Sequence, residues 1–170
     1  MASQPLPLSV NNSKIPFLIL LCIALVSCST SRKITQGEAA PPELVLLEQR
    51  IHHLVNQYRI SRNLPPLTTD RVIAGHARIH SHAMAKRKVP FGHDGFGRRL
   101  QEISRRFPYR TAAENVAYNK GYPDCAQHAV QEWLKSPHHR SNIRGNYRLT
   151  GIGVAKNQEG GYYFTQIFWR

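Results

Sequence analysis

Acidic residues are scarce in this chain: 10 Asp and Glu stand against 23 Lys and Arg, for a formal net charge of +13 over 170 residues. That balance favours contact with acidic partners, such as anionic lipid head groups, envelope polymers or nucleic acid. Cysteine is nearly absent as well, with 3 residues at Cys22, Cys28 and Cys125, too few for a disulfide-framed scaffold. The longest apolar run, Ile15 to Val26, is short of the roughly 20 residues needed to cross a bilayer. There is no internal repeat and no nucleic-acid motif, and the basic residues cluster only at Lys86-Arg87-Lys88 and from Arg98-Arg99 to Arg105-Arg106. A solvated surface accounts for most of this charge, and nucleic acid is the poorest of the three partners.

What is present at the N-terminus is a secretory leader in outline. Met1 to Asn12 is polar, Lys14 supplies a positive charge, and the apolar run follows. It ends in Leu25-Val26-Ser27-Cys28, which resembles a bacterial lipobox. The resemblance implies cleavage before Cys28, lipidation of its sulfur, and membrane attachment through that lipid; Ser29 resembles the residue of the outer-membrane sorting class. An ordinary cleaved signal peptide, with secretion, or an uncleaved anchor are the alternatives. Loss of residues 1–27 removes one Lys and no acid, so the mature charge is +13 minus 1, or +12. It would leave Cys125 without a partner once Cys28 is acylated, so the domain must hold together without disulfides. Cys125 then reads as a small buried hydrophobe beside a helix start.

Residues 28–42 are polar and proline-ended, a tether, and residues 43–170 form one domain large enough for a real core. The spacing of Leu44, Leu47, Ile51, Leu54, Val55 and Tyr58 predicts a helix from Glu43 to Ser61. After the connector Asn63 to Leu67, Thr69 is the expected N-cap of a second helix whose apolar stripe is Ile73, Ala77, His80 and Met84. His80 on that stripe reads as a hydrogen-bonded core histidine, and His76 and His82 as surface residues. Phe91 to Gly97 places His93 and Asp94 among three glycines, a specially shaped loop. A short helix is expected over Arg98 to Phe107, with Leu100, Ile103 and Phe107 inward. Ala113 to Tyr118 is a strand or turn carrying Glu114, a further helix runs from Pro123 to Lys135, and Leu149 to Ala155 with Tyr162 to Trp169 read as an antiparallel hairpin. Helices first and strands last predict an α+β layered domain.

Chemistry concentrates around Glu132-Trp133-Leu134-Lys135-Ser136-Pro137-His138-His139-Arg140-Ser141-Asn142-Ile143. Pro137 disfavours the α conformation at Ser136, so the helix should stop near Lys135 and display His138, His139 and Arg140 on a turn. A basic, solvated helix terminus is the bland alternative. Neither Ser136 nor Ser141 forms a triad argument, so no nucleophile is assigned. Glu132 reads as a helix-surface charge.

Taken in order, Ala77-x-x-His80-Ser81-x-x-Met84-Ala85, Ala113-Glu114-Asn115-Val116-Ala117, Trp133-x-x-Ser136-Pro137-x-His139-Arg140-x-Asn142-Ile143, Gly151-Ile152-Gly153-Val154-Ala155 and Thr165-Gln166-Ile167-Phe168 resemble the bacterial branch of the CAP superfamily, the SCP domains. The resemblance covers Leu47 to Arg170 and implies an α/β/α sandwich around a small, mainly antiparallel sheet. It also implies a shallow cleft lined in some members by two His and two Glu that bind a divalent metal. His93 and Glu114 match two of those positions; Ser136 and Tyr163 stand where the other glutamate and histidine would be. His139, with His93 and Glu114, offers a replacement trio that would suit Zn²⁺ with a coordination position left open, or equally a hydrogen-bonded cleft without metal. With Asn142 these residues form the expected ligand cleft. Three functions follow as expectations: an extracytoplasmic, lipid-anchored binding domain for a small ligand, lipid or metal; a metal-assisted hydrolase of peptide or cell-wall material with Glu114 as base; or an adhesive envelope protein docking its positive surface on anionic lipid or cell-wall polymer.

Overall fold

The computed structural model describes residues 41–170; the expected leader over 1–27, the lipidation site Cys28 and the tether up to residue 40 lie outside them. The helix α1 spans Pro42–Ile60, with proline at its first turn where a missing N–H costs nothing. Its inward face carries Ile51 and Val55, both fully buried. Each such side chain contributes roughly 1.5–3 kcal/mol of transfer free energy.

The two-residue strand β1, Thr68–Thr69, and the helix α2, Arg71–Ala85, follow. Asp70, not Thr69, caps α2: its carboxylate accepts from the backbone N–H groups of Val72 at 2.8 Å and Ile73 at 3.0 Å. Thr69 is drawn instead into the sheet, flanked by ladder bonds from Thr68 N to Arg148 O and from Asp70 N to Thr150 O. The expected stripe of Ile73, Ala77, His80 and Met84 is buried. His82 is exposed as expected, but His76 is half-buried and faces Glu102 at 3.5 Å.

Helix α3, Phe96–Ser104, starts and stops earlier than its sequence suggests, because Gly95 adopts a left-handed conformation (φ 75°) and turns the chain into the helix before Gly97. The segment carrying Glu114 is a full strand, β2, Ala112–Asn119. Helix α4, Cys125–Lys135, is capped by Asp124, whose carboxylate accepts from Gln127 N at 2.9 Å. Cys125 is buried where α4 begins, and burial pushes its thiol pKa up, so it behaves as the small hydrophobe expected.

The expected turn at His138, His139 and Arg140 is instead a helix, α5, Pro137–Arg144. Pro137 does stop α4, leaving Ser136 extended at ψ 121°, but it also occupies the first position of the next helix, with Ser136 as N-cap accepting from His139 N at 3.4 Å. Arg59, 1% exposed, secures the other end by donating to the carbonyls of Ile143 at 2.6 Å and Gly145 at 2.9 Å.

Strands β3, Leu149–Lys156, and β4, Tyr162–Trp169, form the expected antiparallel hairpin, and the sheet order is β1-β3-β4-β2. Only β1 pairs parallel. On one face Ile152, Val154, Phe164 and Phe168 meet Ile51, Val55, Val130, Trp133 and Ile143 from α1, α4 and α5. On the other, Ile167 and Trp169 meet Ile73, Ala77 and Ile103 from α2 and α3. The domain is thus an α+β, α/β/α sandwich around a small, mainly antiparallel sheet. Gly151 and Gly153 explain the close seating of α2, since a Cβ on either would run into the helix backbone, 2.7 Å from Ala74 Cα or 2.5 Å from Arg78 Cα.

Candidate functional site

Strand β2 lies at the sheet edge, and α4 and α5 cap its free groups with side chains. The Trp133 indole N–H donates to Val116 O at 2.9 Å, and Asn142 Nδ2 donates to Glu114 O at 3.3 Å. Asn142 Nδ2 also donates to Asn115 Oδ1 at 2.9 Å, and Asn115 Nδ2 donates to His139 O at 3.1 Å. Arg140 turns back to Leu134 O at 2.9 Å, closing the α4–α5 corner. The two densest sequence motifs are therefore two halves of one latch, with Asn115 fully buried at its centre.

On the opposite face of β2, Glu114 is 3% exposed, and Arg99 of α3 holds it. The guanidinium donates from Nε to Oε2 at 3.0 Å and from Nη2 to Oε1 and Oε2, each at 2.8 Å. Its Nη1 donates to Asp94 O at 2.7 Å and to His80 Nδ1 at 3.1 Å. All five N–H groups of Arg99 can be engaged in this way. Because His80 Nδ1 accepts from Arg99, its Nε2 carries the proton and donates to Gly92 O at 2.8 Å. Burial first, and Arg99 beside it, hold the His80 pKa below its ordinary value of 6.5. His93 Nδ1 lies 3.0 Å from Glu114 Oε1; the carboxylate oxygens already accept from Arg99, so Nδ1 donates here and, in the neutral ring, Nε2 is the acceptor. One network, Gly92–His80–Arg99–Glu114–His93, joins α2, the glycine-rich loop, α3 and β2.

Beside it lies a shallow cleft of about 310 Å³, lined among others by His93, Phe96, Glu114, His138, Asn142 and Tyr147. His93, Glu114 and Asn142 thus meet at one cleft. His139 does not line it, although its ring centroid is 6.4 Å from that of His93; the neighbouring His138 supplies the wall, 5.9 Å from His139. Burial, then His138 and His93, lower the pKa of His139. Neither residue at the two departed positions lines the cleft: Ser136 is the α5 cap, and Tyr163 packs 4.9 Å from Tyr118 and 6.4 Å from Phe91. Glu132 is an exposed helix charge paired with Lys135 at 2.8 Å.

The donor set does not fit a zinc centre. Among the described residues no group of three or more His, Cys, Asp or Glu is arranged to hold a metal ion. The one carboxylate of the trio already carries a guanidinium on both oxygens, and a dication bound there would face that positive charge at contact distance.

Arg99 and His138 are the site residues that the sequence reading missed. The first had a signal: Arg99 stands four residues before the inward Ile103, on the buried side of α3, where a charge needs a partner.

The chain is thus a three-layer α/β/α sandwich whose edge strand is latched by Trp133 and Asn142. The cysteine-rich secretory protein family model matches residues 52–168, and the chain belongs to that family. Among solved structures it is similar to an extracellular protein containing an SCP domain from Bacillus anthracis, with 30% identity, a TM-score of 0.65, and coverage of 76% of this chain and 44% of that one. An outer surface protein of Borrelia burgdorferi shares the fold at 17% identity and TM-score 0.64, over 74% of this chain and 92% of that one. So does a cysteine-rich secretory protein of Staphylococcus aureus, at 22% identity and TM-score 0.60, over 75% of this chain and 40% of that one. The chain therefore spans less than half the length of the Bacillus and Staphylococcus chains. No curated protein matches it.

Proposed function

We propose that this chain is an extracytoplasmic binding domain, tethered by lipid on Cys28, whose cleft holds a small ligand without turning it over. The observation that carries this reading is the grip of Arg99 on Glu114. A carboxylate that accepts three hydrogen bonds from one guanidinium is oriented by it, and its oxygens are not free to take a proton from water. The hydrolase alternative needs Glu114 as that base and finds none of the freedom it requires. Export is supported by the leader and by the family, whose Bacillus relative is described as extracellular.

The cleft is lined by the imidazoles of His93 and His138, with His93 Nε2 the acceptor of a neutral ring whose Nδ1–H donates to Glu114, and by apolar surface from Phe96, Ala112, Ala113 and Tyr147. Its complement is a small molecule with one hydroxyl-type group able to donate and a short apolar body. 1-Hexanol is a suitable probe. Its titration should shift the ring signals of His93 and His138 saturably, and His93→Ala should abolish the effect while leaving the remaining spectrum intact. Unchanged ring signals, or equal binding by His93→Ala, would overturn the reading. A Glu114-dependent hydrolysis of peptide or cell-wall substrate, lost in a folded Glu114→Gln variant, would replace it with the hydrolase.

A further inference from the structure

A second cavity among the described residues is larger than the histidine cleft. It lies next to it, at the start of β2 and the end of β4, measures about 660 Å³, and is lined by Phe107, Pro108, Tyr109, Arg110, Arg148, Leu149, Trp169 and Arg170. The two cavities share no lining residue. Three arginines from three separate segments therefore meet at one concavity with no acidic side chain on its wall. None of the three is ion-paired among the described residues. The rest of the wall is Pro108, Leu149 and three aromatic side chains, Phe107, Tyr109 and Trp169, with the Tyr109 and Trp169 rings 4.7 Å apart.

A second observation is independent of the charge. Trp169 is 1% exposed, yet its indole N–H has no hydrogen-bond partner, whereas the chain's other tryptophan, Trp133, spends its indole N–H on Val116 O. A buried donor without a partner costs about 1–3 kcal/mol, and this one, itself closed to solvent, sits on a ring that forms part of the cavity wall. We propose that this cavity is a binding site for an organic phosphate: guanidiniums match phosphate oxygens in a forked geometry, and the aromatic wall receives an apolar or aryl body. The same chemistry could be carried by a soluble phosphate ester or by a phospholipid head group with its glycerol and acyl portion.

The test follows the two indole N–H signals of the ¹⁵N-labelled full chain, assigned with Trp169→Phe, during titration with phenyl phosphate, inorganic phosphate and dihexanoyl phosphatidylglycerol kept monomeric. Phenyl phosphate should move the Trp169 signal saturably, more tightly than inorganic phosphate, and leave that of Trp133 in place. Arg110→Gln and Arg148→Gln replace exposed residues, so the fold should persist, and each should weaken binding about tenfold, the loss expected for a charge-assisted hydrogen bond. Lys120→Gln, the same change of charge just past the opposite end of β2, should leave affinity unchanged. Tighter binding of the phosphatidylglycerol assigns the site to lipid head groups, and tighter binding of phenyl phosphate assigns it to soluble esters; either supports the proposal. No saturation by about 10 mM, an equal shift with benzyl alcohol, or an equal loss in Lys120→Gln would overturn it. Because His93 lines only the neighbouring cleft, His93→Ala should bind phenyl phosphate normally, which separates failure of this site from failure of the cleft.

Discussion

Arg99 holds both carboxylate oxygens of Glu114 at 2.8 Å, in a pair whose side chains are 10% and 1% exposed. At that depth the desolvation of two charges is offset only while both are present. Arg99→Met should therefore lower stability by about 3–5 kcal/mol, since it strands a buried carboxylate. The double variant Arg99→Met with Glu114→Met should recover much of that loss. Urea unfolding of the three proteins measures both effects; an Arg99→Met variant as stable as the parent would show that the pair is not the anchor of β2 and α3.

The same pair decides the response to zinc. Calorimetric titration of the unmodified protein should show no stoichiometric uptake that depends jointly on His93 and His139. Stoichiometric binding lost in both His93→Ala and His139→Ala would require Arg99 to leave Glu114 and would restore the three-ligand centre suggested by the sequence.

Much of the fold could be read from pattern alone, and the misses have identifiable causes. Period-2 alternation in Gly151-Ile152-Gly153-Val154 marks β3, with its glycines toward α2 and its branched residues toward α1 and α4. The stripe through Ile73, Ala77, His80 and Met84 marks α2, including the buried histidine. Ser136-Pro137 was ambiguous because one dipeptide can both end a helix and begin the next, and only the packing of Ile143 against the core selects the second helix. The cleft was half legible. Glu114 and His93 sit where their motifs put them, but which of His138 and His139 reaches the cleft depends on the rotation of α5, and Arg99 was hidden inside a basic run that looked like solvated surface.

His80 makes stability depend on pH in a defined direction. Its folded pKa lies below the unfolded value of 6.5, so below that pH the unfolded chain takes up a proton that the folded chain refuses. Stability should be constant above that pH on this account and fall as pH drops through the window down to the folded pKa. Arg99, Glu114, His93 and the Gly92 carbonyl surround the ring, and His139 has a pKa lowered in the same direction and adds to the effect. Thermal midpoints between pH 8 and pH 5 should show the decline, and His80→Gln should flatten it relative to the parent. An equal slope in both would assign the dependence elsewhere.

Gly153 should resist the smallest enlargement. A methyl group there would meet the α2 backbone at Ala77 and Arg78, which cannot move without lifting the helix from the sheet. Gly153→Ala should cost about 1–3 kcal/mol or more as an overpacking change. Gly97→Ala, where nothing stands within 4 Å of the added carbon, should be neutral or slightly stabilising. Comparing the two by denaturant unfolding separates steric seating of α2 from a general effect of removing glycine.

The latch makes the sharpest claim about the motifs, because Asn115 and Asn142 come from the two segments that are densest in resemblance and meet each other at 2.9 Å. If those residues were kept for ligand chemistry, removing either would alter binding and leave stability nearly untouched. The geometry says otherwise: Asn115 is fully buried, its amide holds His139 O, and Asn142 also covers Glu114 O at the edge of the sheet. Asn115→Ala and Asn142→Ala should each destabilise by about 1–3 kcal/mol, the cost of leaving buried polar groups unpartnered. Their double variant should cost less than the sum, with a coupling of about 0.5–3 kcal/mol. Strict additivity in the cycle would mean that the two side chains act independently. Coupling of the expected size would identify the motif pair as the clasp that sets β2 and α5, and through them His93 and His138, on either side of the cleft.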